Sequence, residues 1–234
     1  MGALTPRALF EGGDTARQPG QQGPVRRYGL LLIILVASYL LSAFLTSRWI
    51  VDVQLALFTA AGVLEVRAFP LRWRYAQVAL AGGFLVSAPV IIVANHNGGL
   101  VGRGVASLWT ALLLLAIVIM ILRLILVAEA VTLQSILGAI STYLIIGLMF
   151  SAIYAAIYFL HDQHFFADQE LGNSSNFQYF SFTTLTTLGY GDFTAANGGG
   201  RAVAMLEAMT GQIFLVTLVA KLVSTFRPKS QAAK

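Results

Sequence analysis

The chemistry most legible in this chain lies in one stretch, Thr183 to Asp192, which reads T-T-L-T-T-L-G-Y-G-D. What it offers is backbone oxygen rather than a nucleophile or a set of metal ligands. Gly189 and Gly191, one residue apart, free the backbone to take positive φ at alternate positions. A chain that alternates between left- and right-handed conformations turns successive carbonyls to the same side. Oxygens stacked in that way could replace the hydration shell of a cation. A Thr/Gly-rich turn is the plainer reading, and the long apolar segments on either side argue against it.

Other residues invite chemistry and carry less. Glu207 is the one acid clearly inside an apolar run, where a carboxyl group is costly unless it has a role. It could accept hydrogen bonds from hydroxyls such as Thr183 or Thr184, or it could face a wet crevice; both readings stay open. Gln212, Leu215 and Val219 recur on one helical face and could line a cavity or serve plain helix packing. Gly211 is a hinge candidate or a close-packing site. His161 and His164 flank Asp162, but without cysteine this spacing reads better as solvated loop residues than as a metal site. Asn173-Ser174-Ser175 fits a glycosylation acceptor, a pattern common by chance. The glycines at Gly98-Gly99 and Gly102-Gly104 form no phosphate loop, since no Lys-Ser/Thr follows. No nucleophile, base and orienting acid come together as a constellation. The chain is therefore expected not to be an enzyme and to need no cofactor.

The elements that must position these residues are set by the bilayer. Of 234 residues, 57% are hydrophobic and 11% charged, less than half the charged content of an ordinary soluble domain, about 25%. There are no cysteines, hence no disulfide framework and no thiolate metal site. Residues 1–27, rich in Gly, Pro, Gln and Arg, read as a disordered cytoplasmic tail without the long apolar run of a signal peptide. Six apolar runs follow, near the ~20 residues that cross a bilayer. They lie at about Tyr28–Ser47, Trp49–Phe69, Tyr75–Ala94 (with Pro89 as a kink), Val105–Val127, Gly138–Leu160 and Ala202–Ser224. Between the last two, the cap-forming cluster Asn173-Ser174-Ser175-Asn176 precedes a helix expected over Phe177–Thr186, too short to span. Its C-terminal end would turn the negative end of its dipole toward a cation.

From Phe177 to Asp192 the sequence resembles the pore helix and selectivity filter of potassium channels, especially prokaryotic members of the tetrameric (voltage-gated-like) cation-channel superfamily. The likeness extends from about Gly138 to Phe226 and includes Gly200-Arg201 and Gly211. Leu188 replaces the commoner Val or Ile, and Tyr179-Phe180 stand where many relatives have two Trp; neither change removes a backbone carbonyl. The resemblance implies an all-α integral membrane protein: six transmembrane helices, with a re-entrant pore helix and filter between helices five and six. Residues 28–135 would form a four-helix scaffold, 136–226 the pore domain and 227–234 a cytoplasmic tail. It implies potassium ions held by Thr187, Leu188, Gly189, Tyr190 and Gly191, with the Thr187 hydroxyl adding the innermost ring and Leu188 and Tyr190 pointing away from the ions. Thr183, Thr186, Asp192 and Glu207 would support the pore and its mouth, and Gly211, Gln212, Leu215 and Val219 the hinge and cavity. One chain supplies one filter strand and a closed ring needs four, so a homotetramer is expected.

Charge orients the chain. With both termini inside, twelve Lys and Arg are cytoplasmic: Arg7, Arg17, Arg26, Arg27, Arg67, Arg72, Arg74, Arg123, Lys221, Arg227, Lys229 and Lys234. Arg48, Arg103 and Arg201 stay outside, as the positive-inside rule prefers. The net charge of +5 thus reflects membrane topology, with no nucleic-acid partner implied. Asp162, Asp168, Glu170 and Asp192 then ring the outer mouth and concentrate cations. The fourth run carries arginines only at its ends, Arg103 and Arg123, so no voltage sensor is expected. The expected function is passive potassium conduction across a plasma (inner) membrane, with lipid as surroundings and no small-molecule substrate. A weakly selective cation channel, an ion-transporter subunit and a non-conducting membrane scaffold are the alternatives.

Overall fold

The computed structural model describes residues 25–44, 49–66, 82, 85, 89, 92, 93, 96–127, 133–161, 164–168 and 172–225. Six helices are named among them: α1 (Val25–Phe44), α2 (Trp49–Val66), α3 (Gly99–Val127), α4 (Leu133–Leu160), α5 (Ser174–Leu185) and α6 (Gly198–Thr225). The third apolar run and both tails lie largely or wholly outside the described residues.

In hydrocarbon each backbone N–H and C=O must be satisfied within its own segment, which makes apolar runs helical. That requirement explains why α3 begins at Gly99 rather than at Val105. The weak helix propensity of Gly102 and Gly104 costs about 1 kcal/mol each, less than several unpaired backbone groups would. Among the described residues three helices are long and apolar enough to cross a membrane: Gly99–Arg123, Ser135–Leu160 and Gly198–Lys221. Tyr28–Ser42 and Asp52–Ala61 are apolar but shorter.

α4 is the central element. α3 packs along it, α1 lies against it, and α5 sits between α4 and α6. The core joins Leu114, Ile117 and Ile121 of α3 to Ile145, Leu148 and Tyr154 of α4, and continues into Phe177, Phe180 and Leu185 of α5. Above α5, Phe165, Phe166, Phe177, Phe180 and Phe193 form edge-to-face and stacked ring pairs 4.9 to 5.8 Å apart. Over these rings the chain pairs with itself, Phe166 opposite Ala195, through Ala167 N to Thr194 O (2.9 Å) and Ala196 N to Phe165 O (2.8 Å). This clasp joins the loop before α5 to the loop that enters α6.

α6 is different in kind. Glu207 and Gly211 are buried, Val203, Ala204 and Phe214 partly so, and they fall on one stripe at helical spacing. Outside it, Met205, Leu206, Met209, Ile213 and Val216 are exposed. A helix that is apolar all round but contacts its own chain on one stripe needs lipid or protein on its other sides.

Candidate ion pathway

The geometry begins at the N-terminus of α5. Asn173 takes an extended conformation, and its side chain accepts from Asn176 N at 2.8 Å, so the expected cap cluster resolves to a single capping residue. The helix runs Ser174–Leu185, ending at Thr186. Beyond it Thr187, Gly189 and Gly191 have φ of 58°, 50° and 83°. Positive φ therefore occurs at every second residue, starting two residues earlier than the glycines alone indicate. Thr187 adopts a conformation that side-chain-bearing residues enter rarely, held there by its neighbours. Thr187 N donates to Thr184 O (2.9 Å), and the Thr183 carbonyl accepts from both Leu188 N (2.8 Å) and Gly189 N (3.1 Å). The strand 187–191 thus hangs from the last turn of α5.

Thr183 serves this anchor through its backbone, while its hydroxyl donates to Phe180 O at 3.0 Å. The Thr186 hydroxyl donates to Phe182 O at 2.7 Å. At the outer end Asp192 accepts from the Tyr179 hydroxyl at 2.7 Å. The hydrogen bond to Asp192 is the main reason that the Tyr179 phenol is pushed up to about 12. The Tyr190 ring stacks on Tyr179, centroids 6.4 Å apart and nearly parallel. Residues 186 to 192 are all exposed in the single protomer, Leu188 and Tyr190 included.

Glu207 meets its partners on two other helices. Tyr154 of α4 donates to Oε2 and Ser181 of α5 lies on Oε1, both at 2.5 Å. Neither expected partner, Thr183 or Thr184, is involved: α6 runs along the line of α5 that carries Ser181 and Leu185, and the two threonines fall to the sides of that line. Ser181 Oγ is also 2.6 Å from the Gly147 carbonyl. One hydroxyl proton cannot serve two acceptors; a proton on the carboxyl group completes the chain, Glu207 to Ser181 to Gly147. The side chain is fully buried, which removes the wet-crevice reading.

Gly211 packs closely. A Cβ there would stand 2.5 Å from the Leu185 carbonyl oxygen, inside any tolerable contact, and the helix continues unbroken through it. Gln212 reaches toward the strand, its Nε2 3.5 Å from Thr187 Oγ1. Leu215 and Val219 are exposed below it.

Nothing in the sequence marks Tyr154 or Ser181 as partners, and Tyr179 is marked only as standing where many relatives have Trp. An acid in an apolar span calls for hydroxyl partners, but periodicity does not give the depth at which two helices cross. Among the described residues no three His, Cys, Asp or Glu side chains are grouped to hold a metal.

With this geometry in hand, the comparisons give a class. Residues 138–227 match the family model described as "Ion channel", a segment that takes in most of α4, all of α5, the strand after it and α6. The match likens this segment to ion-channel domains and, with the apolar helices, supports a membrane protein of passive ion transport. No curated protein and no solved structure matches the chain.

Proposed function

We propose that the chain is a potassium-selective channel subunit, four copies of which surround one ion path in a prokaryotic plasma membrane. The observation that carries this reading is the left-handed backbone at Thr187, Gly189 and Gly191. With right-handed residues between, carbonyls of consecutive residues line one side of the strand, and four strands make rings of oxygens that substitute for water around a dehydrated potassium ion. Thr187, Leu188, Gly189 and Tyr190 supply the oxygens. α5 enters the membrane and does not cross it; the strand after it is non-helical backbone at membrane depth, tolerable only where it lines a water-filled path. The exposure of residues 186–192 in one protomer fits a strand whose remaining neighbours are other copies. Together with the run in residues 75–94, α1, α2, α3, α4 and α6 would then give six spans, both termini cytoplasmic.

Flux of labelled rubidium into proteoliposomes, with sodium in parallel, tests this. Rubidium uptake with sodium excluded is expected. Equal uptake of the two would leave a weakly selective cation channel, and no uptake of either a scaffold.

A further inference from the structure

A cavity of about 80 Å³ lies between α2, α3, α4 and the first turn of α5. At roughly 10–15 Å³ for each water-sized centre, it holds about five to eight small atoms. None of its lining residues belongs to the strand 187–191 or to α6.

Three of the lining side chains face it as hydrogen-bond acceptors. Asp52 Oδ2 is 2.8 Å from His96 Nε2, while Asp52 Oδ1 is buried and has no hydrogen-bond partner among the described residues. Ser107 Oγ gives its proton to Arg103 O and Thr110 Oγ1 gives its own to Ala106 O, both at 2.9 Å. Toward the cavity these hydroxyls have only lone pairs left. The remaining wall combines carbon, from Phe58, Phe177, Ala152 and Ala155, with the polar side chains of Gln54, Ser151, Ser174 and Gln178. Water could donate to the oxygens, but it brings no charge to Asp52 Oδ1; His96 meets the carboxylate on Oδ2 alone, and a buried carboxylate oxygen gains most from a charged donor. The complementary ligand has several N–H donors, a positive charge and a short apolar tail.

We propose that this cavity binds a small primary alkylammonium ion, its N–H groups on Asp52 Oδ1, Ser107 and Thr110 and its tail against Phe58 and Phe177. Binding there would bridge the scaffold helices α2 and α3 to the pore helix α5 from behind.

The test is titration of the full-length protein, purified with potassium in excess, with butylammonium, read by calorimetry or ligand-observed NMR. Saturable binding is expected. Asp52→Asn keeps the shape and removes the charge, and should weaken binding roughly 10- to 100-fold, the range for a lost charged hydrogen bond. Ala152→Leu fills the cavity while leaving Asp52 in place, and should abolish binding; rubidium flux without amine should stay as in the parent for both variants. Butanol, with the tail but no charge, and tetramethylammonium, with the charge but no N–H, should fail to compete. Absence of saturable binding would mean that the cavity holds only water and overturn the proposal. So would parental binding in Asp52→Asn or Ala152→Leu, equal competition by tetramethylammonium, or displacement by equimolar sodium, which would make it a simple cation site. Because the readout is binding, the result stands apart from whether the chain selects potassium.

Discussion

At the scale of single residues, Glu207 sets the sharpest expectation. It is gripped by Tyr154 and Ser181, from two different helices. Glutamine can reproduce the bonded arrangement, its amide N–H replacing the carboxyl proton toward Ser181 and its oxygen accepting from Tyr154. The Glu207→Gln variant should therefore assemble and conduct like the parent. Glu207→Ala strands the Tyr154 hydroxyl, at roughly 1–3 kcal/mol for each unsatisfied group, and leaves a void besides. Thermal unfolding of the purified assembly should show the alanine variant well below the parent and the glutamine variant close to it; equal melting of all three would mean that the knot holds nothing. The Tyr179–Asp192 clamp sets a second. A phenol raised from 10.0 to about 12 lends stability that is complete below pH 10 and lost as pH rises through about 12. The outer end of the strand 187–191 should thus be insensitive to this group at neutral pH. In stability measured against pH, the parent should lose ground between pH 10 and 12 relative to Tyr179→Phe, and matching profiles would refute the clamp. Glu207 itself was legible as an oddity in the sequence. Its partners were not, because hydroxyls are cheap to place anywhere on a helix and only the crossing geometry selects among them.

At the scale of elements, composition revealed the apolar helices well and their ends poorly. α1 starts at Val25 and α6 at Gly198, each a few residues before the apolar run begins, since capping rather than hydropathy sets a helix start. Asn197 shows why: its side-chain oxygen accepts from Gly200 N at 2.7 Å, drawing three glycines into the first turn of α6. The short helix α5 was readable because its cap residues cluster visibly. α3 bears on gating. Within it the cations are Arg103 and Arg123, and the Arg103 guanidinium sits 5.9 Å from the centre of the Phe159 ring on α4, an anchoring contact. Each charge that crosses the membrane field contributes about 2.3 kcal/mol per 100 mV. With so few available, open probability should vary shallowly with voltage in planar-bilayer recordings; a steep curve would show that α3 moves as a sensor.

At the scale of the whole molecule, the single chain leaves its most distinctive strand exposed and presents α6 with contacts on one stripe. The sequence carried this in the mismatch between an apolar helix and the single glutamate within it, but not the identity of the neighbours. The proposed fourfold assembly makes a quantitative prediction for mixtures. If half of the chains carry Tyr190→Asp, expected to loosen the outer sites and admit sodium, about one pore in sixteen is free of the variant. Sodium-excluding rubidium flux from the mixture should fall to about that fraction. A fall to one half would mean that each chain conducts alone.

The stripe on α6 also has a mechanical consequence. Glu207 and Gly211 are fastened to α5 and α4 within one helical turn, and beyond Gly211 the helix continues to Thr225, roughly 21 Å at 1.5 Å per residue. The seat of Gly211 on the Leu185 carbonyl is thus the fulcrum of a lever with unequal arms. A tilt of about ten degrees there swings the far end by roughly 4 Å and shifts Glu207, about 6 Å away on the short arm, by about 1 Å. Leverage at the C-terminal end of α6 therefore reaches the footing of the strand 187–191 geared down to about a quarter, but never disengaged from it.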